Sequence, residues 1–390
     1  MSLRLVFSTE EFRVHGVRYE GFPIILDEEM EPIEPATSFL LDTCIKNGRA
    51  RSPNTWARYG QDLYDFFGFV RASTSLDWKR PPNIGEIGPI EAYRDWSASE
   101  CGCAASTVNH RLRTIRRFYE WCVRKEILPA TPFDYTTAHV PRGPKFLEHV
   151  DGSGKEVQTP EFMLKEVSAP IEVLSRGQIG HSLELLAHNE THRLLFRLMV
   201  NTGLRSDEAR SFPESYVCNP RSRKDLRGST IVRVMMNPRD MRLKGSKARA
   251  IDVPVTLMED MYWWSVRERP KRVGSAAAGS GPSSLFVTEE GTSFSESALI
   301  DVFRRLSKKA GYRVRPHLLR HSYATHTLHF LRLIKWKGEP LLYLKRRLGH
   351  RSLNTTMKYL HLLDELNADT VFKYEKEIDE LFGYSEAPQP

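Results

Sequence analysis

Two short segments in the second half of the chain combine arginine and lysine with an acidic neighbour in a spacing that could support chemistry on an anion. NTGLRSDEARSF holds Arg205 and Glu208, and RLKGSKARAIDVP holds Lys244 and Lys247 on either side of a turn. Arginine presents a planar fork of donors that matches the oxygens of a phosphate, and lysine supplies a compact positive charge. These residue types therefore suit a phosphate target.

Two later segments add histidines, a further arginine and a tyrosine. In RPHLLRHSYATHTL, His317 and Arg320 are three residues apart, so they lie on one helical face and can converge on one point. In LKRRLGHRSLNTTMKYLHL, Gly349 ends a helix, His350 follows it, and Tyr359 lies nine residues further on. Taken alone, each segment also has an ordinary explanation: a surface ion pair, solvated lysines, a capping histidine or a core tyrosine.

The elements that must position these residues can be predicted from periodicity and turn chemistry. Helices are predicted over about 175–201 and 206–212. Strand patterns in STIVRVMM and RAIDVPV flank MRLKGSKA, where Gly245 and Ser246 suit a tight reversal, which predicts a β-hairpin with lysines at its tip. The rest is mainly helical, and the stretch RVGSAAAGSGPSS at 272–284 is typical of a surface loop.

The first half of the chain has a separate helical pattern. A helix is predicted to start at Ser52 and Pro53, and a second one lies near 106–125. The polar positions of the second helix are largely basic, which leaves two explanations: a solvated face whose arginine stems cover apolar surface, or a face that meets DNA. The residues assigned to DNA contact are Arg111, Arg113, Arg116, Arg117 and Lys247.

Composition and pattern divide the chain into four segments. Residues 1–34 form an N-terminal extension of short strands or an extended arm, and residues 35–135 form the basic helical domain. Residues 136–170 are rich in proline, glycine and polar residues, which predicts an interdomain linker. Residues 171–390 form the domain that carries the four segments, and its tail, LNADTVFKYEKEIDELFG, is predicted to be an amphipathic helix.

The overall composition narrows the class of protein. The 390 residues are enough for two cores, and 57 Lys and Arg against 49 Asp and Glu give a net charge of +8, which is compatible with a polyanionic partner. No apolar run approaches the ~20 residues of a membrane span, and the start lacks a signal-peptide pattern. Five cysteines without C-x-x-C spacing indicate neither disulfides nor a zinc site. A soluble, cytoplasmic protein is expected.

Together, the arginine in TGLRSDE, the lysine in KGSK, HLLR, and LGH followed nine residues later by tyrosine resemble the signature of tyrosine site-specific recombinases of the phage integrase family. The resemblance covers about residues 171–365, and the preceding helical domain looks like the family's core-binding, SAM-like domain. It implies a mainly α fold with a small β-sheet (α+β). In that fold the core-binding and catalytic domains form a C-shaped clamp on DNA.

Carried over residue by residue, the resemblance implies the catalytic set Arg205, Lys244, His317, Arg320, His350 and Tyr359, with Glu208 as a supporting acidic residue. The arginines and His317 would stabilise the charge on the scissile phosphate while Tyr359 attacks it. His350 is the expected acceptor of the tyrosine proton or its organiser, and Lys244 is the expected acid for the 5′ leaving oxygen. A 3′-phosphotyrosine would result, and a free 5′-hydroxyl could reverse the step with neither a metal nor a nucleotide cofactor.

Alternatives remain at two positions and for the function itself. Tyr312, Tyr323, Tyr343 and Tyr374 lie in the same region, but only Tyr359 has the LGH spacing, and Tyr343 is the next candidate. Lys247 flanks the same turn as Lys244. A type IB topoisomerase-like nicking and closing enzyme is a second hypothesis, against which His317 in HLLR counts. A non-cleaving DNA-binding regulator of the same fold is the third.

The resemblance also implies partners. The expected substrate is a double-stranded recombination site, cut and rejoined for integration, excision, transposition or resolution. A homo-oligomer, a tetramer on synapsed DNA, would bind it, with accessory DNA-bending or directionality proteins as further partners and no membrane. The tail helix is expected to dock on a neighbouring protomer rather than on its own domain, and the protein would associate with the nucleoid when it binds DNA.

Overall fold

The computed structural model describes residues 3–48, 52–73, 75–83, 85–140, 155–166, 170–274 and 283–366. The chain divides into two compact units, residues 1–168 and 169–390. The predicted tail helix and most of the predicted loop at 272–284 lie outside the described residues. Within the described part, no helix is long and apolar enough to cross a membrane.

In its described residues, the first unit is helical with three small antiparallel sheets. β1 pairs with β4, β2 with β3, and β5 with β6. In chain order its elements are β1 (Arg4–Phe7), β2 (Arg13–Val14), β3 (Val17–Arg18), β4 (Pro23–Leu26), α1 (Ala36–Leu40), a π-helical turn (Leu41–Lys46), α2 (Pro53–Ala72), α3 (Pro89–Ser99), α4 (Ala105–Arg124), β5 (Tyr135–Val140) and β6 (Lys155–Pro160).

An aromatic core holds the helices of this unit together. The apolar stripes of α2 and α4 face each other, and Phe66, Phe118 and Tyr119 are fully buried between them. Phe66 meets Tyr93 of α3 edge to face, with ring centroids 5.5 Å apart, which is a favoured aromatic geometry. The two helices predicted in this half are confirmed, because proline at the first position starts α2 and a buried stripe runs along α4.

The short strands predicted for the first thirty-odd residues are present as β1 to β4, and they do not form an extended arm, because Leu3, Phe22 and Ile25 are buried in the core that α2 and α4 form. The segment predicted as a linker contains the six-residue strands β5 and β6, paired in register along their whole length. Proline and glycine in the intervening sequence masked the short alternating patterns on which a strand prediction depends.

In the part of the second unit that the structure describes, helices surround one β-hairpin. β7 and β8 are antiparallel, and Val232, Val234 and Met236 are buried on alternate positions of β7. In chain order its elements are α5 (Arg176–Leu185), α6 (Glu190–Thr202), α7 (Ser206–Arg210), three 3-10 turns (Glu214–Tyr216, Pro220–Ser222 and Lys224–Leu226), β7 (Ile231–Met236), β8 (Arg249–Pro254), α8 (Val255–Arg267), α9 (Arg269–Val273), α10 (Glu296–Ala310), α11 (Pro316–Leu333), α12 (Pro340–Leu348) and α13 (Leu353–Leu366).

The predicted hairpin is confirmed, but its connection is longer than a tight reversal. Residues 237–248 join the strands, and the buried side chains of Met241 and Leu243 attach this connection to the core. Gly245 and Ser246 turn the chain at the tip with positive φ angles of 76° and 49°. The tip is therefore carried on an anchored segment.

Helix packing brings the far ends of this unit together. α11 contacts α6, α12 and α13, and α6 also contacts α8 and β8. A small second core lies between α11, α12 and α13, where Leu328, Leu344 and Leu348 surround the ring of Tyr359. The packing of α11 thus places the end of α6, the end of α12 and the middle of α13 next to one another.

Candidate active site

The end of α6 makes the first wall of the site. Gly203 closes the helix in the left-handed region at φ 65°. A Cβ there would lie 2.4 Å from Cδ1 of Tyr323 and 2.8 Å from Cδ2 of Leu348, so only glycine fits. The chain turns at once into α7, with Arg205 at its N-cap. The glycine therefore sets the direction in which Arg205 enters the site.

Arg320 lies in the floor of the site and is almost completely buried, at 1% exposure. One of its terminal nitrogens donates to the carbonyl oxygen of Gly203 at 2.5 Å and the other to that of Leu348 at 2.6 Å. These carbonyls close the C-termini of α6 and α12, where a positive charge is favoured. Burial, together with the charge of Arg205, lowers the pKa of Arg320 to about 10, so the guanidinium stays protonated at neutral pH.

Glu208 connects two arginines beneath the site. Its fully buried carboxylate accepts hydrogen bonds from the backbone N–H of Arg205 at 2.9 Å and from Nη1 of Arg205 at 3.1 Å. Both terminal nitrogens of Arg249 also donate to it, at 3.0 and 2.5 Å. Burial opposes ionisation, but the bonds and charges of Arg249 and Arg205 outweigh it and lower the pKa of Glu208. The carboxylate thereby fixes the stem of Arg205.

Arg249 also belongs to the site, although its residue type and spacing did not predict this. It begins β8, pairs across the hairpin with Met236, and donates from Nε to the carbonyl oxygen of Arg347 at 3.1 Å. A Cβ at Gly349 would lie 2.9 Å from its Cδ, so the glycine after α12 leaves room for this side chain. Its position five residues after Lys244 was visible in the sequence, but the direction of its side chain was not.

His317 lies on the same face of α11 as Arg320, as the spacing predicted, and its ring meets that of His321 with centroids 4.3 Å apart. Partial burial and the positive charges of Arg320, Arg205 and Lys244 lower the pKa of His317. Lys244 and Lys247 are both exposed at the hairpin tip. The charge of Lys244 therefore acts on the cluster from its solvent side.

Tyr359 presents its hydroxyl to the same cluster. The ring is packed in the small core and is 3% exposed, while its Oη lies 3.0 Å from Nδ1 of His321. Burial raises the pKa of Tyr359, and the charges of Arg320 and Arg205 oppose that rise. The nucleophile expected from the sequence is thus brought together with both arginines, and with a histidine that the sequence analysis did not single out.

His350 stacks on Tyr359 rather than bonding to its hydroxyl. The two rings are nearly parallel, at 13°, with centroids 6.3 Å apart. Nδ1 of His350 lies 3.0 Å from Oγ1 of the buried Thr356, which fixes the ring. Burial and the charges of the surrounding arginines lower the pKa of His350 to about 3, so its imidazole is neutral at pH 7. In this geometry His350 orients the tyrosine ring.

The competing tyrosines have other partners. Tyr343 donates to Oδ2 of Asp252 at 2.9 Å, and burial followed by the charge of Asp252 raises its pKa. Tyr312 donates to the carbonyl oxygen of Gln178 at 2.7 Å, and the ring of Tyr323 lies beside Gly203. Tyr374 lies outside the described residues. Of the tyrosines described in this region, Tyr359 is the one whose pKa, raised by burial, is lowered in turn by the charges of both Arg320 and Arg205.

The arginines assigned to DNA contact lie on α4, in the other unit, and have partners within it. Arg111 donates to Asp65 at 2.5 Å, and Arg113 donates to Glu166 at 2.7 Å. Exposed pairs such as Arg113–Glu166 contribute little stability and exchange readily with other anions. In the same unit, Arg116 pairs with Glu120, and Arg117 bonds to the hydroxyl of Tyr59. Their contact with DNA stays a prediction.

Among the residues that the structure describes, no group of three or more His, Cys, Asp or Glu side chains is arranged to hold a metal ion. The positive charge of the site comes from the guanidinium groups and the hairpin lysines. The chemistry that this arrangement supports is stabilisation of an anion next to a phenol.

Comparison with known proteins agrees with this geometry. Residues 178–365 match the phage integrase family, a range that includes every residue of the cluster. Tyrosine recombinase XerC of Halalkalibacterium halodurans is 28% identical over 86% of this chain and 94% of its own length. Transposase A from transposon Tn554 of Staphylococcus aureus is 23% identical over 93% of this chain and 98% of its own length.

Solved structures share the fold. The XerH site-specific recombinase bound to palindromic difH substrate, in a post-cleavage complex, has a TM-score of 0.54 and 17% identity, covering 88% of this chain and 90% of its own. The Tn1549 transposon integrase in complex with a circular intermediate DNA has a TM-score of 0.56 and 16% identity, covering 82% and 93%. Residues 178–365 thus form a phage integrase family domain, and the similarity of the chain to tyrosine recombinases over most of its length supports a tyrosine site-specific recombinase.

Proposed function

We propose that the chain cuts and rejoins double-stranded DNA at a specific site, with Tyr359 as the nucleophile and a 3′-phosphotyrosine as the covalent intermediate. The convergence of two guanidinium groups beside the phenol supports this most directly. Arg205 and Arg320 both donate to the carbonyl oxygen of Leu348, at 3.5 and 2.6 Å, and both act on the pKa of Tyr359. A phosphate in the place they share would lie against the tyrosine hydroxyl.

The arrangement suits an in-line displacement at phosphorus. Forked donors from Arg205 and Arg320 would hold the non-bridging oxygens, where charge accumulates as the phenol attacks, and His317 would add a further hydrogen bond. The bond between Oη of Tyr359 and phosphorus forms while the bond to the 5′ oxygen breaks. Because donors fixed in advance do not reorganise during the reaction, the buried hydrogen bonds of Arg320 favour this role.

Lys244 is proposed as the acid that protonates the departing 5′ oxygen. Its ammonium is exposed at the hairpin tip and acts electrostatically on His317, so it faces the solvent side of the cluster from which DNA would arrive. A positioned general acid contributes roughly 100- to 10,000-fold to such a step. Lys247 has the same exposure but is not among the charges that act on His317, which favours Lys244 as the acid and Lys247 as a DNA contact.

The proposal extends to the assembly. Relatives include proteins named as recombinases and as a transposase, so the chain is proposed to act in integration, excision, transposition or resolution. We propose that a homotetramer acts on two synapsed sites, with accessory proteins directing the outcome. Both units would contact the DNA, the tail helix would dock on a neighbouring protomer, and the DNA-bound protein would lie on the nucleoid.

A suicide substrate tests the reaction. A duplex is first selected by binding from a randomised library, and the position of cleavage is mapped. A nick is then placed close to that position, so that the short fragment with the free 5′-hydroxyl diffuses away after cleavage. We expect the wild-type chain to accumulate a covalent protein–DNA product and Tyr359→Phe to form none. Tyr343→Phe, which removes the hydroxyl of the next candidate, is the matched control and retains the product. Cleavage that persists in Tyr359→Phe excludes the proposed nucleophile.

A further inference from the structure

The hydroxyl of Tyr359 has a partner outside the set of residues that the family signature names. Nδ1 of His321 lies 3.0 Å from Oη of Tyr359, and the two rings are inclined at 55° with centroids 5.6 Å apart. His321 directly follows Arg320 on α11, so the helix that holds the phosphate-binding arginine also holds this imidazole. His350, by contrast, directs its Nδ1 to Thr356.

Partial burial and the charges around His321 keep its imidazole neutral and able to accept a hydrogen bond. Arg320 and His317 face it from its own helix, Tyr359 and Lys358 from α13, and His350 from the segment between α12 and α13. Partial burial, followed by the charges of His317, Arg320 and Lys358, lowers the pKa of His321 to about 4. At neutral pH the phenol is protonated, so it donates and Nδ1 accepts.

We propose that His321 is the general base of the reaction: it accepts the proton of Tyr359 as the strand is cleaved and returns it as the strand is rejoined. This rests on the proposed function. In cleavage the O–H bond of Tyr359 breaks and an N–H bond forms at Nδ1. The bond from Oη to phosphorus forms, and the 5′ oxygen leaves with a proton from Lys244. Rejoining runs these transfers in reverse, so no other reactant is needed.

Substrate binding makes this base stronger. The low basicity of His321 in the free protein comes partly from the neighbouring positive charge of Arg320. A phosphate anion bound to Arg320 and Arg205 offsets that charge and favours the imidazolium form. His321 therefore gains basicity only when the scissile phosphate is in place, and the phenol is not activated in its absence.

Changing the leaving group of the DNA distinguishes a general base from a general acid. The selected duplex is prepared with a 5′-bridging sulfur at the cleaved position, because a thiolate leaves without a proton and makes a general acid unnecessary. We expect His321→Ala and His321→Gln to slow cleavage of both the oxygen and the sulfur duplex by roughly 100-fold or more. Lys244→Met should slow only the oxygen duplex. His329→Ala, a change at another half-buried histidine on α11, is the matched control and cleaves both normally.

A second measurement excludes a merely structural effect. Fluorinated tyrosine at position 359 has a more acidic phenol, which needs less help from a base, so it should restore most of the cleavage lost in His321→Ala. Raising the pH should restore it as well. Circular dichroism and binding to the same duplex verify that each variant is folded.

The outcomes are distinct. Cleavage of both duplexes by His321→Ala at the wild-type rate overturns the proposal, as does a defect that sulfur corrects or one that fluorinated tyrosine leaves unchanged in a folded variant. If the wild-type chain and His329→Ala form the Tyr359 adduct in these cases, the proposed function still holds. If the wild-type chain forms no adduct on the duplex it selects, both the proposed function and the role of His321 fail.

Discussion

At the scale of single residues, the site depends on where each arginine donates. Arg320 spans two backbone carbonyls with its two terminal nitrogens, and Arg249 spans the two oxygens of Glu208 in the same way. Lysine donates from one tetrahedral nitrogen, so it cannot reproduce the planar fork in which two separate nitrogens each reach one acceptor. Both positions therefore require the planar fork, not just a positive charge.

Arg320→Lys should reduce cleavage of the suicide substrate to near the background rate while leaving duplex affinity within a few fold. The point charge still attracts DNA, but it cannot hold the carbonyls of Gly203 and Leu348 and the phosphate in a fixed geometry. Covalent product and filter binding are measured together. Arg332→Lys, an exposed change at the end of the same helix, is the control. Near-normal cleavage by Arg320→Lys would contradict the assigned role.

Arg249→Met should destabilise the catalytic unit by about 3–5 kcal/mol, because it removes one partner of a buried ion pair and leaves the buried negative charge of Glu208 less neutralised. Urea unfolding measures the change. Arg304→Met, which breaks an exposed pair with Asp301, should cost less than about 1 kcal/mol. Equal effects of the two substitutions would mean that the Arg249 pair is not structurally important.

At the scale of elements, the site is made from helix ends. α6 and α12 stop at left-handed glycines, and their last carbonyls receive the guanidinium of Arg320. α11 supplies the arginine and two histidines from one face, and α13 supplies the tyrosine. The termination of helices, as much as their formation, determines the geometry.

Gly203→Ala should be clearly more destabilising than Gly245→Ala. Both glycines have positive φ, at 65° and 76°, so each substitution incurs a backbone cost of about 1–2 kcal/mol. Only at Gly203 would the added Cβ also clash, with Tyr323 and Leu348, since no atom lies within 4 Å at Gly245. Thermal unfolding of the two variants gives the comparison, and indistinguishable midpoints would rule out the close packing of α6 against α11 and α12.

Many of the helices and strands could be predicted from the sequence, and the features that could not be predicted have physical causes. Glycine stops and apolar periodicity predicted the hairpin, the neighbours His317 and Arg320, and one helix over about 175–201, which the structure divides into α5 and α6. The sequence could not show that Arg249 turns inward to Glu208 or that His321 meets Tyr359, because both contacts join residues far apart in the chain. Short strands next to proline and glycine, as in β5 and β6, give too weak an alternation to predict.

At the scale of the whole molecule, charged and titratable groups make the stability of the fold depend on pH and the affinity for DNA depend on salt concentration. Burial lowers the pKa of His192 and His321 to about 4 and that of His350 to about 3, against 6.5 for an ordinary histidine. An unfolded chain therefore binds more protons than the folded one between these values and 6.5. Folding is favoured when these histidines are neutral.

The catalytic unit should lose stability as the pH falls from about 6.5 toward 4, and this contribution should be fully present above about 6.5. Urea midpoints at a series of pH values measure it. His321→Gln, which cannot be protonated, should flatten the dependence. A midpoint that stays constant from pH 7 to pH 4.5 would contradict the burial of these imidazoles.

Duplex binding should weaken steeply with salt. Each phosphate neutralised by lysine or arginine contributes about −0.9 to the slope of log affinity against log salt concentration. Titrations of the selected duplex at several salt concentrations give the slope, and Lys247→Met should reduce its magnitude by about one. A flat response would count against a phosphate-binding surface.

The main-chain carbonyl of Leu348 accepts hydrogen bonds from Arg205 and Arg320, and this limits where a chimera with a related protein can be joined. The acceptor is a main-chain oxygen, so its presence does not depend on the side chain at that position. Its placement depends on the path of α12 into α13. A chimera joined between α11 and α12 keeps that path intact. A chimera joined at His350 takes α12 from one protein and α13 from another, so Tyr359 should no longer align with the two arginines even when every signature residue is retained.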